Sequence, residues 1–394
     1  MAKIVIAGRT YSSNLGDGII AECLQYLFAQ VAPEHEIQLL DLGGLETWLP
    51  LQPQLFSRRR NYLKRVLLGN KTIYSSITLL RWYASARRRC VLQWDAALSG
   101  ASLLVIGGGQ LLMDNHLRFP LRIHTLGKLA QQRSIPTHFL ACGVNRTWSP
   151  LARRLFRSIV TQAASISVRD SESQKRLLQL LPQAPLPTQT FDPAIWAAEC
   201  YPRVDIAESQ VRTVGIGVIG LKAVNAHAPA GQKFTEEALL QFWLDILIQI
   251  QRSQLPCELF TNGAADDYAL AEKVRQEAYV RLGINCSLAP RPYRPVDLVQ
   301  QIQTYRTVIA ARLHANLIAL SHGIPTVGIV WDNKVAALYH DINKSHCCLN
   351  IYDRDPVDIY ALLQASSEQV VSPQILVDFR AQIRATIQSI VMTL

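Results

Sequence analysis

Apolar residues along this chain fall into short runs separated by stretches of helical spacing. Lys3–Ala7 (KIVIA) is a β-branched run closed by Gly8, which predicts a buried strand. In Ile19–Val31 the apolar positions Ile20, Cys23, Leu24, Leu27, Phe28 and Val31 recur with helical periodicity, and Ile37–Leu42 predicts a second strand. Leu103–Ile106 then runs into Gly107-Gly108-Gly109, Thr137–Ala141 into Cys142-Gly143, and Ser165–Val168 into Arg169-Asp170. Each is an apolar strand followed by a glycine or polar loop and a helical stretch. Parallel strands buried on both faces have this pattern, and the loops at their carboxyl ends bind ligands.

Leu181–Pro193 (LPQAPLPTQTFDP) carries four prolines in thirteen residues and predicts a linker. Beyond it the pattern restarts. Strands are predicted at Thr213–Val218, Glu258–Thr261, Thr307–Ala310 and Thr326–Ile329, with helices at Glu236–Gln251, Val296–Tyr305 and Ala315–Ser321. The expected organisation is α/β, in two halves, residues 1–193 and 194–394, with an insertion at about 50–90 in the first.

Composition narrows the class. A chain of 394 residues with 49% hydrophobic and 18% charged residues has ample core for two domains, which excludes a disordered or fibrous protein. The net charge of +10 is local. Arg58, Arg59, Arg60, Lys64, Arg65, Lys71, Arg81, Arg87, Arg88 and Arg89 lie between Leu55 and Cys90 with no acid among them, and the rest of the chain is balanced. A global field for nucleic acid is not implied; a local basic surface is. The eight cysteines show no CxxC and no metal-ligand spacing, which favours reduced core thiols in a cytosolic setting. No secretory signal and no membrane span is expected, since the uncharged runs Ala96–Met113 and Leu313–Trp331 are broken by GGG and HGIP.

Four loops carry candidate chemistry. In Ser12–Gly18 the glycines permit close backbone approach and a helix N-terminus offers free N–H groups, although Asp17 is equally readable as a helix cap. Gly107–Gly109 is either a ligand-facing turn or a tight strand-to-helix turn. Arg169 is either a ligand-facing cation or a surface arginine paired with Asp170, while Asp170 or Ser171 caps the next helix. Arg312 and His314 flank Leu313 directly after a predicted strand. A fixed, forked cation beside a group that moves protons near neutral pH suits an anion-processing site.

Taken in order, these motifs resemble those of the polysaccharide pyruvyl transferases. They are Asn14-Leu15-Gly16-Asp17, Gly107–Gly109, Gly143-Val144-Asn145, Ser167–Ser173, Asp192-Pro193, Arg312–His314, Gly323–Pro325 and Lys334, spanning residues 14 to 334. The resemblance implies two Rossmann-like parallel-sheet halves arranged as in GT-B glycosyltransferases. It implies phosphoenolpyruvate as donor, a sugar, oligosaccharide or lipid-linked saccharide as acceptor, and a pyruvate ketal as product, in exopolysaccharide or cell-wall polysaccharide synthesis. It places Arg312 and His314 in the donor site, the first as clamp and the second as acid/base, with Arg169 and Lys334 as further donor cations. Asn14, Asp17, Gly108, Gly109 and Asn145 fall to the acceptor. The chemistry calls for no cofactor and no metal beyond the co-substrate. The basic insertion departs from the family pattern, and its mixture of arginines with leucines and aromatics suits an anionic membrane surface. The expected location is therefore cytoplasmic and peripheral at the inner membrane face.

Two other readings compete. A GT-B glycosyltransferase using a nucleotide-sugar would share the architecture, but the Leu313–Ala337 region lacks the acidic E-x6-E spacing near a donor ribose. A non-catalytic saccharide-binding partner would have no need to keep both Arg312 and His314.

Overall fold

The computed structural model describes residues 1–48, 71–203, 213–353, 358–368 and 371–394. The arginines and lysine at 58, 59, 60, 64 and 65 lie outside the described residues. The chain forms two units. One comprises 1–12, 20–193 and 381–394; the other comprises 13–19 and 194–380. The sequence division at 193/194 thus coincides with one crossing point. It does not anticipate that the turn carrying Asn14 and Asp17 counts with the second unit, or that the last fourteen residues count with the first.

The first unit is built on a six-stranded parallel sheet in the order β2-β1-β3-β4-β5-β6. Its strands are β1 (Lys3–Gly8), β2 (Glu36–Asp41), β3 (Leu103–Gly107), β4 (Thr137–Cys142), β5 (Ser165–Val168) and β6 (Thr188–Gln189). Around it lie α1 (Leu15–Val31), α2 (Lys71–Arg81), α3 (Arg87–Leu98), α4 (Arg118–Gln132), α5 (Pro150–Val160) and α6 (Ser171–Leu180). Ile4, Val5, Leu103–Ile106, Phe139 and Leu140 are fully buried, which is why these strands read as unbroken apolar runs. The chain turns back past β1 between β2 and β3, so the switch in strand order lies at the carboxyl ends of β1 and β3.

The described half of the insertion is part of this core. A π-helical turn, Trp82–Ala86, joins α2 to α3. Trp82 and Trp94 are buried against the sheet, and the Trp94 indole N–H donates to the Asp41 carbonyl at the end of β2 (3.2 Å). Trp82 therefore does not belong to an exposed aromatic surface. Ile73, Leu80, Tyr83 and Leu92 remain exposed, as do Arg87, Arg88 and Arg89.

The second unit repeats the plan with the order β12-β11-β10-β7-β8-β9, again all parallel. Its strands are β7 (Val214–Gly217), β8 (Cys257–Phe260), β9 (Ser287–Leu288), β10 (Thr307–Ala310), β11 (Thr326–Val330) and β12 (Cys348–Asn350). Its helices are α7 (Ala197–Cys200), α8 (Leu221–His227), α9 (Glu236–Arg252), α10 (Ala265–Leu282), α11 (Pro295–Gln303), α12 (Leu313–Ser321), α13 (Asn333–Asp341) and α14 (Ile359–Glu368), and α15 (Pro373–Val391) begins in this unit and ends in the first. Here the switch lies between β7 and β10. Two strand glycines accept aromatic rings. A Cβ on Gly215 would sit 2.3 Å from the Tyr305 ring, and one on Gly328 would sit 2.3 Å from Tyr339. All eight cysteines are free thiols, five of them buried. Among the described residues no helix is long and apolar enough to cross a membrane.

Candidate functional site

The strongest concentration of chemistry stands at the switch point of the second unit. Arg312 is the N-cap of α12, and its guanidinium grips Asp267 with two parallel N–H donations of 2.9 Å. Asp267 is 1% exposed and also accepts from the Gly220 N–H (2.8 Å). One buried carboxylate thus ties the loop after β7 to the loop after β10. Burial pushes this carboxyl up, against the lowering pull of Arg312 and of the Gly220 N–H. The forked partner fixes the Arg312 plane, as a bidentate pair does.

His314 lies in the first turn of α12 and is 8% exposed. Against its ring lies Gly16, in the first turn of α1. A Cβ built on Gly16 would stand 2.1 Å from His314 Nδ1 and 2.4 Å from its Cγ. The sequence placed residues 12–18 in a loop before the helix. The structure starts α1 at Leu15 instead, so Gly16, Asp17 and Gly18 are helical. The reason is tertiary: the Leu15 N–H, an orphan at a helix start, is taken by the Asn262 carbonyl after β8 (3.0 Å). Asp17 sits in the first turn, where its charge favours the helix dipole.

Asn316 holds this junction from below. Its amide donates to the carbonyls of Ala310 (3.0 Å) and Arg312 (3.1 Å), and its oxygen accepts from Tyr339 (2.9 Å). On the next strand, the Trp331 indole N–H donates to the Ala311 carbonyl (2.6 Å). The Lys334 ammonium lies 4.5 Å from the Trp331 ring centroid and the Arg312 guanidinium 5.6 Å. Asp332 pairs with Lys334 (3.4 Å) and His227 (3.2 Å). Although burial pushes the Asp332 carboxyl up, the charges of Lys334 and His227 hold it below its ordinary value. Arg291 donates to the Gly263 carbonyl (2.7 Å). Arg312 and Lys334 thus share the Trp331 ring, with Asp267 and Asp332 as their respective carboxylate partners.

Asn262 is the least expected member. It is 1% exposed, and neither side-chain heteroatom has a hydrogen-bond partner among the described residues. Such a group costs roughly 1–3 kcal/mol unless something satisfies it.

In the first unit, Arg169 is 8% exposed, lies flat on Gly143, and pairs with Asp170 (3.3 Å) and Asp192 (3.7 Å). Asp170 caps α6 through the Ser173 N–H (2.6 Å). Ser173 Oγ in turn accepts from the Val144 N–H, and Ser167 Oγ accepts from the Ala141 N–H, where β4 bulges and Ala141 adopts φ 52°. The serines and acid of this motif therefore build the β4–β5 end, and the arginine is the member whose charge they hold in place. Gly108 and Gly109 have φ of 74° and 71°, and a Cβ on Gly108 would strike Ile20 at 1.9 Å. Gly107 and Gly108 are thus required by packing on α1. The Asn145 carboxamide oxygen accepts from the Arg146 N–H (2.8 Å).

The sequence model of the polysaccharide pyruvyl transferases matches residues 14–333, four-fifths of the chain and all the motifs just placed except Lys334, one residue beyond. The chain belongs to the polysaccharide pyruvyl transferase family. No curated protein matches it significantly in sequence. Among solved structures it is similar to the UDP-N-acetylglucosamine 2-epimerase of Rickettsia bellii, at 11% identity over 100% of this chain and 96% of that one, with a TM-score of 0.55. It is also similar to S. aureus MnaA solved with UDP (12%, 97% and 91%, 0.53). A third is the UDP-GlcNAc 2-epimerase of Methanocaldococcus jannaschii, solved with UDP-GlcNAc and UDP (8%, 95% and 93%, 0.52). At such identities the likeness is one of fold. The pyruvyl transferase chain has the expected α/β class, with two Rossmann-like parallel-sheet halves of the GT-B type.

In this family member the structure brings Arg312, His314, Lys334 and the Asn14–Asp17 turn into one unit. Arg169, Gly108, Gly109 and Asn145 belong to the other. Sequence reasoning missed Asp267, Asn262, Asn316 and Trp331. Asn262-Gly263 comes directly after a predicted strand, just as the singled-out loops do, and that is the signal the sequence offers.

Proposed function

We propose that the chain transfers the enolpyruvyl unit of phosphoenolpyruvate to a sugar and closes a pyruvate ketal across two hydroxyls. The observation that carries this reading is the meeting of Gly16 with His314 beside the Asp267-fixed Arg312, because it unites the first and the late family motifs around a cation and an imidazole. His314 delivers a proton to the vinyl CH₂, which makes C2 electrophilic. A sugar hydroxyl adds to C2 and gives up its proton. The C2–O bond to phosphate breaks, and a second hydroxyl closes the ring, its proton leaving with the phosphate. Arg312, Lys334 and the Asn262 amide hold the carboxylate and phosphate, a task suited to fixed, desolvated donors. Arg169, neutralised by two carboxylates, is a weaker clamp. Asn14 and Asp17 in the second unit are proposed as acceptor contacts, as are, separately, Gly108, Gly109 and Asn145 in the first. No cofactor or metal enters this scheme. The exposed Ile73, Leu80, Tyr83 and Leu92 with Arg87–Arg89 are assigned to an anionic membrane surface, and the location we propose is the inner face of the membrane.

The test is ligand-dependent stability together with product analysis. Phosphoenolpyruvate is expected to raise the thermal midpoint, since a ligand of the native state stabilises it by mass action. Phosphate release with a saccharide acceptor should accompany a new ketal methyl signal by NMR. Stabilisation by a UDP-sugar and not by phosphoenolpyruvate would replace this reading with a nucleotide-sugar transferase.

A further inference from the structure

The donor chemistry leaves a second, strongly basic cavity unused. It opens in the first unit at the carboxyl ends of β1 and β2, with a volume of about 400 Å³. That size suits a small ligand. Four guanidiniums line it: Arg9 from the loop after β1, Arg81 from the end of α2, and Arg118 and Arg122 one turn apart at the start of α4. Tyr11, Tyr74 and Trp82 complete an aromatic wall.

The arginines are not there to pair with protein carboxylates. Among the described residues Asp41 is the one acid in the lining, and backbone N–H groups already occupy its oxygens: Gly43 (2.6 Å), Leu45 (3.3 Å) and Tyr11 (3.3 Å). Arg9 reaches Ser12 Oγ (3.2 Å) and the face of Phe119, and Arg118 reaches the Tyr74 hydroxyl. Arg122 has no hydrogen bond or ion pair among the described residues, yet burial and then the charge of Arg9 pull it below its ordinary pKa. Like charges gathered around a half-buried space are costly without a counter-anion.

The backbone beside the cavity is strained as well. Asn115, His116 and Leu117 have φ of 38°, 53° and 69° in succession, the last of them the N-cap of α4. Asp114 holds this turn through the N–H groups of Leu117 and Ser149 (2.8 Å each), and His116 packs edge-on to Tyr74 at 4.7 Å. Three left-handed non-glycine residues in a row are sustained where the placement of the adjoining chain matters. Here the adjoining chain is the start of α4, whose first two turns carry Arg118 and Arg122.

We infer that the Arg9–Arg118–Arg122 cavity binds the phosphate ester of a glycosyl phosphate or diphosphate, so that the acceptor of the transfer is a phosphate-bearing saccharide. The acceptor clause rests on the proposed pyruvyl transfer; the oxyanion site does not. Three convergent guanidiniums match the charge and the oxygen geometry of phosphate, and the aromatic wall gives the rest of the ligand an apolar face.

Isothermal titration calorimetry of inorganic pyrophosphate against the full chain and against Arg122→Gln tests this, without phosphoenolpyruvate present. Arg122→Gln is expected to keep the thermal midpoint, because Arg122 holds nothing in place, and to weaken pyrophosphate at least about 10-fold through loss of one charge-assisted contact. Arg9→Gln provides a second reading on the same cavity. Pyrophosphate that does not bind, or binds both variants as it binds the wild type, overturns the site. Two further arms separate the sources of the ester: a soluble sugar 1-phosphate, and phosphatidylcholine vesicles carrying a polyprenyl phosphate. Arg122-dependent binding in either arm supports the inference, and its absence from both overturns the glycosyl phosphate. Should phosphoenolpyruvate fail to bind while pyrophosphate binds through Arg122, the donor reading falls and the oxyanion site stands.

Discussion

Gly16 and His314 are separated by almost three hundred residues, yet the imidazole occupies the space in which any side chain at position 16 would begin. The atoms that a Cβ would meet include Cγ of the histidine ring and the Cβ that carries it, so a χ adjustment at the ring tip cannot clear it. Gly16→Ala is therefore expected to displace the His314 ring or the first turn of α1, at roughly 1–3 kcal/mol, the usual cost of overpacking. Turnover should fall by about 10-fold or more, measured beside the thermal midpoint. Unaltered turnover in a well-folded Gly16→Ala would show that the ring position is not critical.

His314→Gln should lower turnover by roughly 10²–10⁴-fold with the fold intact, the range for losing a general acid. At Arg312 the two substitutions should separate. Arg312→Ala strands the buried Asp267 carboxylate and should cost about 3–5 kcal/mol. Arg312→Lys keeps the charge but loses the fork, so it should remain folded and lose most of its activity. Full activity in Arg312→Lys would remove the oriented clamp from the scheme.

Asn262 gives a test in which stability and function move in opposite directions. Asn262→Leu replaces an unsatisfied buried amide by an apolar group of similar size, which is neutral or stabilising by up to roughly 2 kcal/mol. The thermal midpoint should hold or rise while the KM for phosphoenolpyruvate increases by about 10-fold. A fall in the midpoint with no change in KM would make Asn262 a structural residue only.

Much of this fold could be read from the pattern. The central strands are buried on both faces, so their sequences are apolar throughout, and β5 and β10 begin and end where expected. The edge strands β6, β9 and β12 have two or three residues, too few to show a period. β6 also lies within the proline-rich stretch read as a linker. The early start of α1 depends on the Asn262 carbonyl, a contact no local pattern encodes. Arg312 and His314 were legible because strand, cation and imidazole are adjacent in sequence. Arg9, Arg118 and Arg122 were not, because three arginines scattered over 114 positions become a cluster only when β1 and α4 come together.

The pH dependence of stability should carry a histidine signature. Burial lowers His138 from 6.5 to about 4, while its ring meets Ser165 Oγ at 2.7 Å and Thr393 Oγ1 at 3.4 Å. The unfolded chain takes the proton first as pH falls. No penalty exists above pH 6.5, and stability is lost between about 6.5 and 4, by at most on the order of 3 kcal/mol. His138→Gln should flatten the urea-midpoint profile across that window. An equally steep profile would assign the loss to other groups.

The exposed apolar and basic side chains of α2, the π-helical turn and α3 should carry the protein to anionic vesicles in flotation at low salt. Each engaged Lys or Arg contributes on the order of 1 kcal/mol near such a surface. Replacing Arg87, Arg88 and Arg89 with Gln should reduce flotation, as should high salt. Equal flotation by the substituted protein would return this surface to solvent.

The slot that Gly328 leaves for Tyr339 bears on how sequence variants of this protein would be interpreted. Through the Tyr339 hydroxyl and Asn316, a missing Cβ on β11 reaches the Arg312 carbonyl. A substitution at Gly328 would touch no substrate and would score as an ordinary core lesion. It would nevertheless reposition Arg312, which is proposed to grip the donor. Loss of activity at such a position is then no evidence of loss of folding, and a screen that sorts variants by abundance alone would misfile them.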